Sequence, residues 1–220
     1  MISVFDMFSI GIGPSSSHTV GPMRAAKAFC GELSEQGLFD TTDQIKVELF
    51  GSLGQTGKGH GTGKAVILGL LGHAPETIDS SMVESFLEKV RSCQRLDLDG
   101  KKSIKFPALN AIVFHRRKSL SQHPNGMTFH AMNNKTVITS QTYFSIGGGF
   151  IIREQDFAEQ KVAALIHEEQ PVPYDFSSAK QLLELSKWST YQFINDEKRR
   201  SISTQTRNHQ KAMAHMAGHV

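Results

Sequence analysis

The stretch Gly11-Ile-Gly-Pro-Ser-Ser-Ser-His-Thr-Val-Gly-Pro22 constrains this chain more than any other. Gly13, Pro14, Gly21 and Pro22 fix a bend on either side of three serines and an imidazole. Ser15, Ser16 and Ser17 carry no apolar surface, so the stretch offers little to a core. An apolar pattern of helical period begins at Met23, which sets hydroxyls, backbone N–H groups and His18 where a helix starts. Such a place suits an anionic group such as a carboxylate. An N-cap would use one of these hydroxyls, and three exceed that need.

Residues 1–10 form an apolar lead-in with Ile2, Val4, Phe5, Met7, Phe8 and Ile10. Met23, Ala26, Phe29, Cys30 and Leu33 then recur at helical spacing until Gly37 stops them. Ile45, Val47 and Leu49 alternate with Lys46, Glu48 and Phe50, the pattern of a strand leading into Gly51. From Gly51 to Lys64, glycine stands at positions 51, 54, 57, 59, 61 and 63. Strand, Gly-rich loop and helix make an anion-binding layout, because Gly lets backbone N–H groups approach a ligand. Thr56-Gly57-Lys58 does not complete a nucleotide-binding P-loop, since Gly59 stands where Ser or Thr is required. Thr56, Lys58, His60 and Thr62 remain as functional side chains between glycines. A flexible exposed loop is the competing reading.

A surface helix is expected from Ser80 or Ser81, with Met82, Phe86, Leu87 and Val90. Strands are expected at Ile104–Phe106, Ala111–His115, Met127–Ala131 and Thr136–Phe144, with turns at Pro124-Asn125-Gly126 and Asn133-Asn134. His115, His123 and His130 share no helical face and no partner thiols, so they read as structural or exposed. Ser145-Ile-Gly-Gly-Gly-Phe150 demands positive φ or close backbone approach, as a bulge or a ligand-facing turn. Beyond it come a polar helix over Asp156–His167, an extended link Pro171–Tyr174, and a helix capped by Ser177 or Ser178 with Leu182, Leu183 and Leu185. The sum is an α/β or α+β fold, a mixed sheet with flanking helices and an antiparallel portion.

At 39% hydrophobic and 20% charged residues, the composition excludes disordered and fibrous classes. No apolar run reaches membrane-span length and no signal peptide opens the chain, so a cytoplasmic location is expected. Two cysteines, Cys30 and Cys93, have no metal-ligand spacing and read as buried, inert thiols. Residues 187–220 hold six basic against two acidic side chains, leaving 18 basic against 19 acidic in residues 1–186. The surplus belongs to the tail, and the body has no positive stripe, which argues against nucleic-acid binding.

Met1–Asp6, Gly11–Pro22, Gly51-Ser-Leu, Thr56-Gly-Lys-Gly-His60, Asn125-Gly-Met, Tyr143, Ser145–Phe150 and Val172-Pro-Tyr together resemble the N-terminal β domain of iron–sulfur L-serine dehydratases. The likeness runs from residue 1 to about Ser186. It implies conversion of L-serine to pyruvate and ammonia. It also implies a C-terminal α domain whose cysteines hold a [4Fe-4S] cluster acting as Lewis acid on the serine hydroxyl, while a protein base removes the α-proton. The β domain's implied share is to hold the substrate and supply the base. His60 is the first candidate for base and His18 the second. Ser15, Ser16, Ser17 and Thr19 would bind the carboxylate and Lys58 would add charge, with Thr56, Thr62 and Ser145 completing the candidate set. No metal ligand is expected in this chain, because two cysteines do not supply the thiolates of a cluster.

Two departures stand out. The family usually has Thr-Asp after the His-Gly of the second motif, where this sequence has Thr62-Gly63, so an orienting carboxylate for His60 is missing. The likeness ends near Ser186, so domains of 1–186 and 187–220 are expected, the latter a basic, disordered tail of unrelated sequence or a single docked helix. Activity would then need an α domain or α chain in trans. A catalytically incomplete fragment or a serine-binding regulatory module is the alternative, and a homodimer is compatible with the family.

Overall fold

The computed structural model describes residues 11–157 and, beyond them, Ser178, Lys180, Gln181, Leu183 and Glu184. Two compact units divide the chain, Met1–Gln160 and Lys161–Val220. In the second, the Gln181 N–H donates to Ser178 Oγ at 3.3 Å, the N-cap expected at Ser177 or Ser178. The lead-in at 1–10, most of the 156–167 helix, the link at 171–174, Leu182, Leu185, the boundary at 186 and the tail lie outside the described residues.

In the first unit α1 spans Val20–Glu35. It begins ahead of the expected Met23 because Pro22 falls in the first turn, where its missing N–H is not needed. Gly37 ends it at φ 67°. Strand β1 (Gln44–Leu49) buries Ile45, Val47 and Leu49 and turns Lys46 and Glu48 to the other face. Next come α2 (Gly51–His60), α3 (Thr62–Leu70), a 3-10 turn at Ser80–Met82 and α4 (Val83–Cys93). The Asp79 carboxylate caps that turn by accepting the Ser81 N–H at 2.9 Å. Strands β2 (Arg95–Leu98) and β3 (Lys102–Lys105), the short α5 (Ala108–Ala111), and strands β4 (Ile112–Phe114), β5 (Gly126–Asn133), β6 (Thr136–Gly147) and β7 (Phe150–Arg153) follow.

Among the described residues the strands form one seven-stranded mixed sheet of order β2-β3-β1-β5-β6-β7, with β4 also paired to β1. β1 runs parallel to β3 and β4 and antiparallel to β5. The Asn134 and Lys135 backbones take positive φ, 48° and 68°, and close the β5–β6 hairpin. The three glycines 147–149 also take positive φ and turn β6 into β7 beside a register shift between Ser145 and Gly147, so the expected bulge is present. Between sheet and helices, Phe29 of α1 stacks on Phe129 of β5 at 5.3 Å and Tyr143 of β6 meets Phe129 edge-on at 5.7 Å. Burying such side chains, each by about 1.5–3 kcal/mol, fixes α1 on the sheet and sets the position of the residues just before it.

One expectation fails outright. Gly51–Lys64 is not a loop but α2 and α3 joined at Gly61, which takes the left-handed conformation at φ 80°. Interior glycine costs a helix about 1 kcal/mol per residue, yet here it permits close packing. A Cβ on Gly54 would lie 2.3 Å from the His115 carbonyl oxygen, so only glycine lets α2 rest directly on the backbone after β4. Cys93 is a second correction: at the end of α4 it is exposed, and Cys30 alone is a buried thiol.

Candidate functional site

Before α1 the chain is gathered on one carbonyl. Ser15 O accepts the His18 N–H at 3.1 Å, the Thr19 N–H at 2.9 Å and the Thr19 hydroxyl at 2.8 Å. Thr19 occupies the N-cap, but no side chain caps the helix, so the serine hydroxyls are not spent on helix N–H groups. Ser17 Oγ lies 3.0 Å and Ser15 Oγ 3.4 Å from His18 Nδ1. Thr19 is buried in the turn, and Ser16 holds the Gly21 N–H with its carbonyl at 3.0 Å.

The second half of the site comes from α2. Ser52, Thr56 and His60 follow one another at the i, i+4 spacing, so they share one helix face. Ser52 Oγ lies 3.2 Å and Thr56 Oγ1 3.0 Å from His18 Nε2. The His60 ring sits 4.8 Å from that of His18, centroid to centroid, and its Nδ1 lies 2.9 Å from the Thr56 carbonyl oxygen. Lys58 is exposed and, two positions from both Thr56 and His60, points about 200° away from their face.

These contacts fix the protons. A carbonyl only accepts, so His60 Nδ1 carries a hydrogen, and its Nε2 meets no partner among the described residues. The Thr56 hydroxyl donates to Ser52 O at 2.9 Å and therefore accepts from His18 Nε2–H, while the Ser17 hydroxyl donates to His18 Nδ1. Burial lowers the pKa of His18 below the ordinary imidazole value, the charge of His60 lowers it further, and Ser52 partly opposes both. His18 is thus a neutral, 8% exposed imidazole with hydroxyls on both nitrogens. The group contains two imidazoles, four hydroxyls and no carboxylate, a set that donates well to an anion and can take up one proton at His60.

Two candidate residues sit apart from these contacts. Thr62 and Ser145 are fully buried, and neither hydroxyl has a hydrogen-bond partner among the described residues. Thr62 packs on Gly57 and Ser145 on Gly21, whose missing Cβ would fall 2.1 Å from Ser145 Oγ. Ser52 is the residue that sequence reasoning missed; its one signal is a hydroxyl in the first turn of the helix that follows the strand.

On the other face of the sheet, Glu48 accepts from His115 Nε2 and His130 Nε2, both at 3.0 Å, and from Lys46 at 3.2 Å. Burial alone would raise its pKa, but these donors outweigh burial and hold it at about 2. The grouping explains two of the three histidines read as structural, and its strand-to-strand pairing left no trace in the sequence. His123 accepts the Asn125 N–H at 3.1 Å in the turn before β5. Neither cysteine suits a cluster: burial pushes the Cys30 thiol up to about 12, its Sγ facing Leu70 O, and Cys93 lies exposed on another helix. Among the described residues, no three His, Cys, Asp or Glu side chains are placed to hold a metal ion. An iron–sulfur cluster therefore does not fit the described residues.

Comparison with known proteins adds family evidence to this geometry. The profile of the family described as Serine dehydratase beta chain matches residues 3–156. The chain is 47% identical over 184 residues to L-serine dehydratase 1 of Escherichia coli (strain K12), covering 83% of this chain and 39% of that protein. It is 45% identical over 186 residues to an L-serine dehydratase of Haemophilus influenzae, covering 84% and 40% respectively. A Mycobacterium tuberculosis L-serine dehydratase is 48% identical over 155 residues, 70% of this chain and 33% of the relative. The chain thus spans about 40% of the length of the first two relatives it matches.

Proposed function

The chain belongs to the serine dehydratase β-chain family, and from that premise we propose that the His18–His60 group binds L-serine as the substrate-holding part of an L-serine dehydratase. One observation carries the reading: two imidazoles 4.8 Å apart, one with hydroxyls on both nitrogens and the other with an Nε2 that meets no partner among the described residues. Hydroxyls of Ser15 and Ser52 are placed to donate to the substrate carboxylate, while Ser17 spends its hydrogen on His18 Nδ1 and holds that ring. Ser16, Thr19, Lys58, Thr62 and Ser145 remain secondary candidates, supported by the motif likeness more than by contact with His18.

In this reading His60 Nε2 accepts the α-proton of serine. Its Nδ1–H stays on the Thr56 carbonyl, which steadies the imidazolium as it forms. The depressed pKa of His18 serves the same end, because a neutral neighbour does not repel the new charge. Departure of the serine hydroxyl is not served by these residues. In this reading, the [4Fe-4S] cluster and the α domain or chain that holds it come from the portion of the relatives that this chain does not match.

The placement of Cys30 in the core and Cys93 at the surface favours a second reading, a serine-binding module without chemistry of its own. Calorimetric titration of the 220-residue chain with L-serine, D-serine and L-alanine tests binding. Saturable binding of L-serine that is lost in His18→Ala is expected. Pyruvate release on adding the α part of a family enzyme supports the dehydratase, and binding without it supports the module. Absence of L-serine binding under both conditions overturns both readings.

A further inference from the structure

At the end of β1 remote from α2, a cleft of about 610 Å³ opens between β3, the start of β1 and the β5–β6 turn. Its lining includes Arg95, Lys102, Lys105 and Lys135, with Asp43 as the one carboxylate. That carboxylate is engaged, accepting the Asn134 N–H at 2.8 Å. Arg95 and Lys105 are register partners across β2 and β3, so their side chains leave the same face with Cβ atoms about 5 Å apart. Like charges set directly opposite one another destabilise a sheet.

The charges are only partly used. Arg95 donates from Nε to Ser103 Oγ at 3.0 Å and from Nη2 to Ser103 O at 2.8 Å, which orients the guanidinium and leaves its other N–H groups. Lys102 reaches the Asp40 carbonyl. Lys105 and Lys135 form no ion pair with a carboxylate among the described residues. Lys102 leaves β3 on the face opposite Lys105, and Asp97 of β2 shares the Arg95 face and feels its charge, so Arg95, Lys105 and Lys135 are the cations that a bridging anion would stabilise.

We propose that this cleft binds a small molecule carrying a diphosphate group. The cations come from three separate elements, β2, β3 and the β5–β6 turn, which suits an anion with more than one charged group, and the volume suits a small-molecule ligand. A polynucleotide fits less well, because residues 1–186 carry 18 basic against 19 acidic side chains and offer no extended positive track. β1 separates Gln44 at this cleft from Ser52 at the His18 group, and its six residues span about 20 Å, so the two sites are distinct. The proposal does not depend on L-serine binding at the other end.

Calorimetric titration of the full chain at constant ionic strength with inorganic pyrophosphate, and separately with inorganic phosphate, is the test. One saturable pyrophosphate site is expected, at least tenfold tighter than phosphate. It should weaken at least tenfold in Lys105→Ala/Lys135→Ala, hold in Lys105→Arg/Lys135→Arg, and be unchanged in His18→Ala. Absence of saturable binding, equal affinity in the alanine double variant, loss in His18→Ala, or phosphate binding as tightly as pyrophosphate would each overturn the proposal. A single-stranded oligonucleotide that displaces pyrophosphate at lower concentration than pyrophosphate's own Kd overturns the small-molecule assignment.

Discussion

His18 and His60 face each other at 4.8 Å between ring centroids, tilted by 40°, one reaching in from the turn before α1 and the other from the last turn of α2. Two imidazoles this close cannot both carry a proton without repulsion, so the charge of His60 bears on the titration of His18. His18 titrates below the ordinary value for burial first and the neighbouring His60 second. Removing the neighbour by His60→Ala is therefore expected to move the His18 pKa upward, though not fully to the exposed value. Imidazole NMR titration reads the shift; an unchanged or lower His18 pKa contradicts the pairing.

Hydroxyl placement gives a second expectation. Ser52→Ala and Thr56→Val each remove a partner from His18 Nε2, and each is expected to weaken L-serine binding about 5–30-fold, the equivalent of about 1–2 kcal/mol. Gln55→Ala, on an exposed neighbour between them, should change affinity less than twofold. Calorimetry with L-serine separates the two outcomes.

Stability should fall on acidification in two steps. Burial depresses the pKa of His18, His73 and His123. Below pH 6.5 the unfolded chain takes up protons that the folded chain resists, so stability drops as pH falls from about 6.5 towards the lowered values. Glu48 has the opposite chemistry and the same sign. Its folded pKa of about 2 lies under the unfolded value of 4.5, so its contribution is present above 4.5 and lost between 4.5 and 2. Thermal melts from pH 8 to pH 3 should show both steps, and Glu48→Gln should flatten the lower one alone.

Glycines of α2 divide by surroundings. Gly54→Ala would push a Cβ to 2.3 Å from the His115 carbonyl oxygen and is expected to cost about 1–3 kcal/mol. Gly59 has nothing within 4 Å of its Cβ position, so Gly59→Ala should stabilise by about 0.5–1 kcal/mol through helix propensity. Opposite shifts in urea midpoint check both at once.

Local signals in the sequence identified α1, β1 and the β5–β6 hairpin, because apolar period, alternation and turn residues act over a few positions. They misread α2. A run of alternating glycines looks like a loop when its cost is counted residue by residue, and the contact that repays it, Gly54 on the His115 backbone, joins segments far apart in the chain. His18 and His60 were legible as candidates for the same reason that Ser52 was not: histidines among glycines and serines stand out, whereas one serine at the head of a helix looks like any other. Glu48 with His115 and His130 was invisible because strand register, not spacing, brings those three together.

β1 passes into α2 through Phe50 alone, so the pleat of the strand serves as the phase reference for the helix that follows. A residue inserted within β1 would invert its faces, carrying the Glu48 carboxylate towards Phe129 and the core. If the strand kept its pairing instead, α2 would take up the error as a turn of about 100°, and the Ser52–Thr56–His60 row would swing off His18. The length of this short strand is therefore as much a part of the chemistry as any side chain on it.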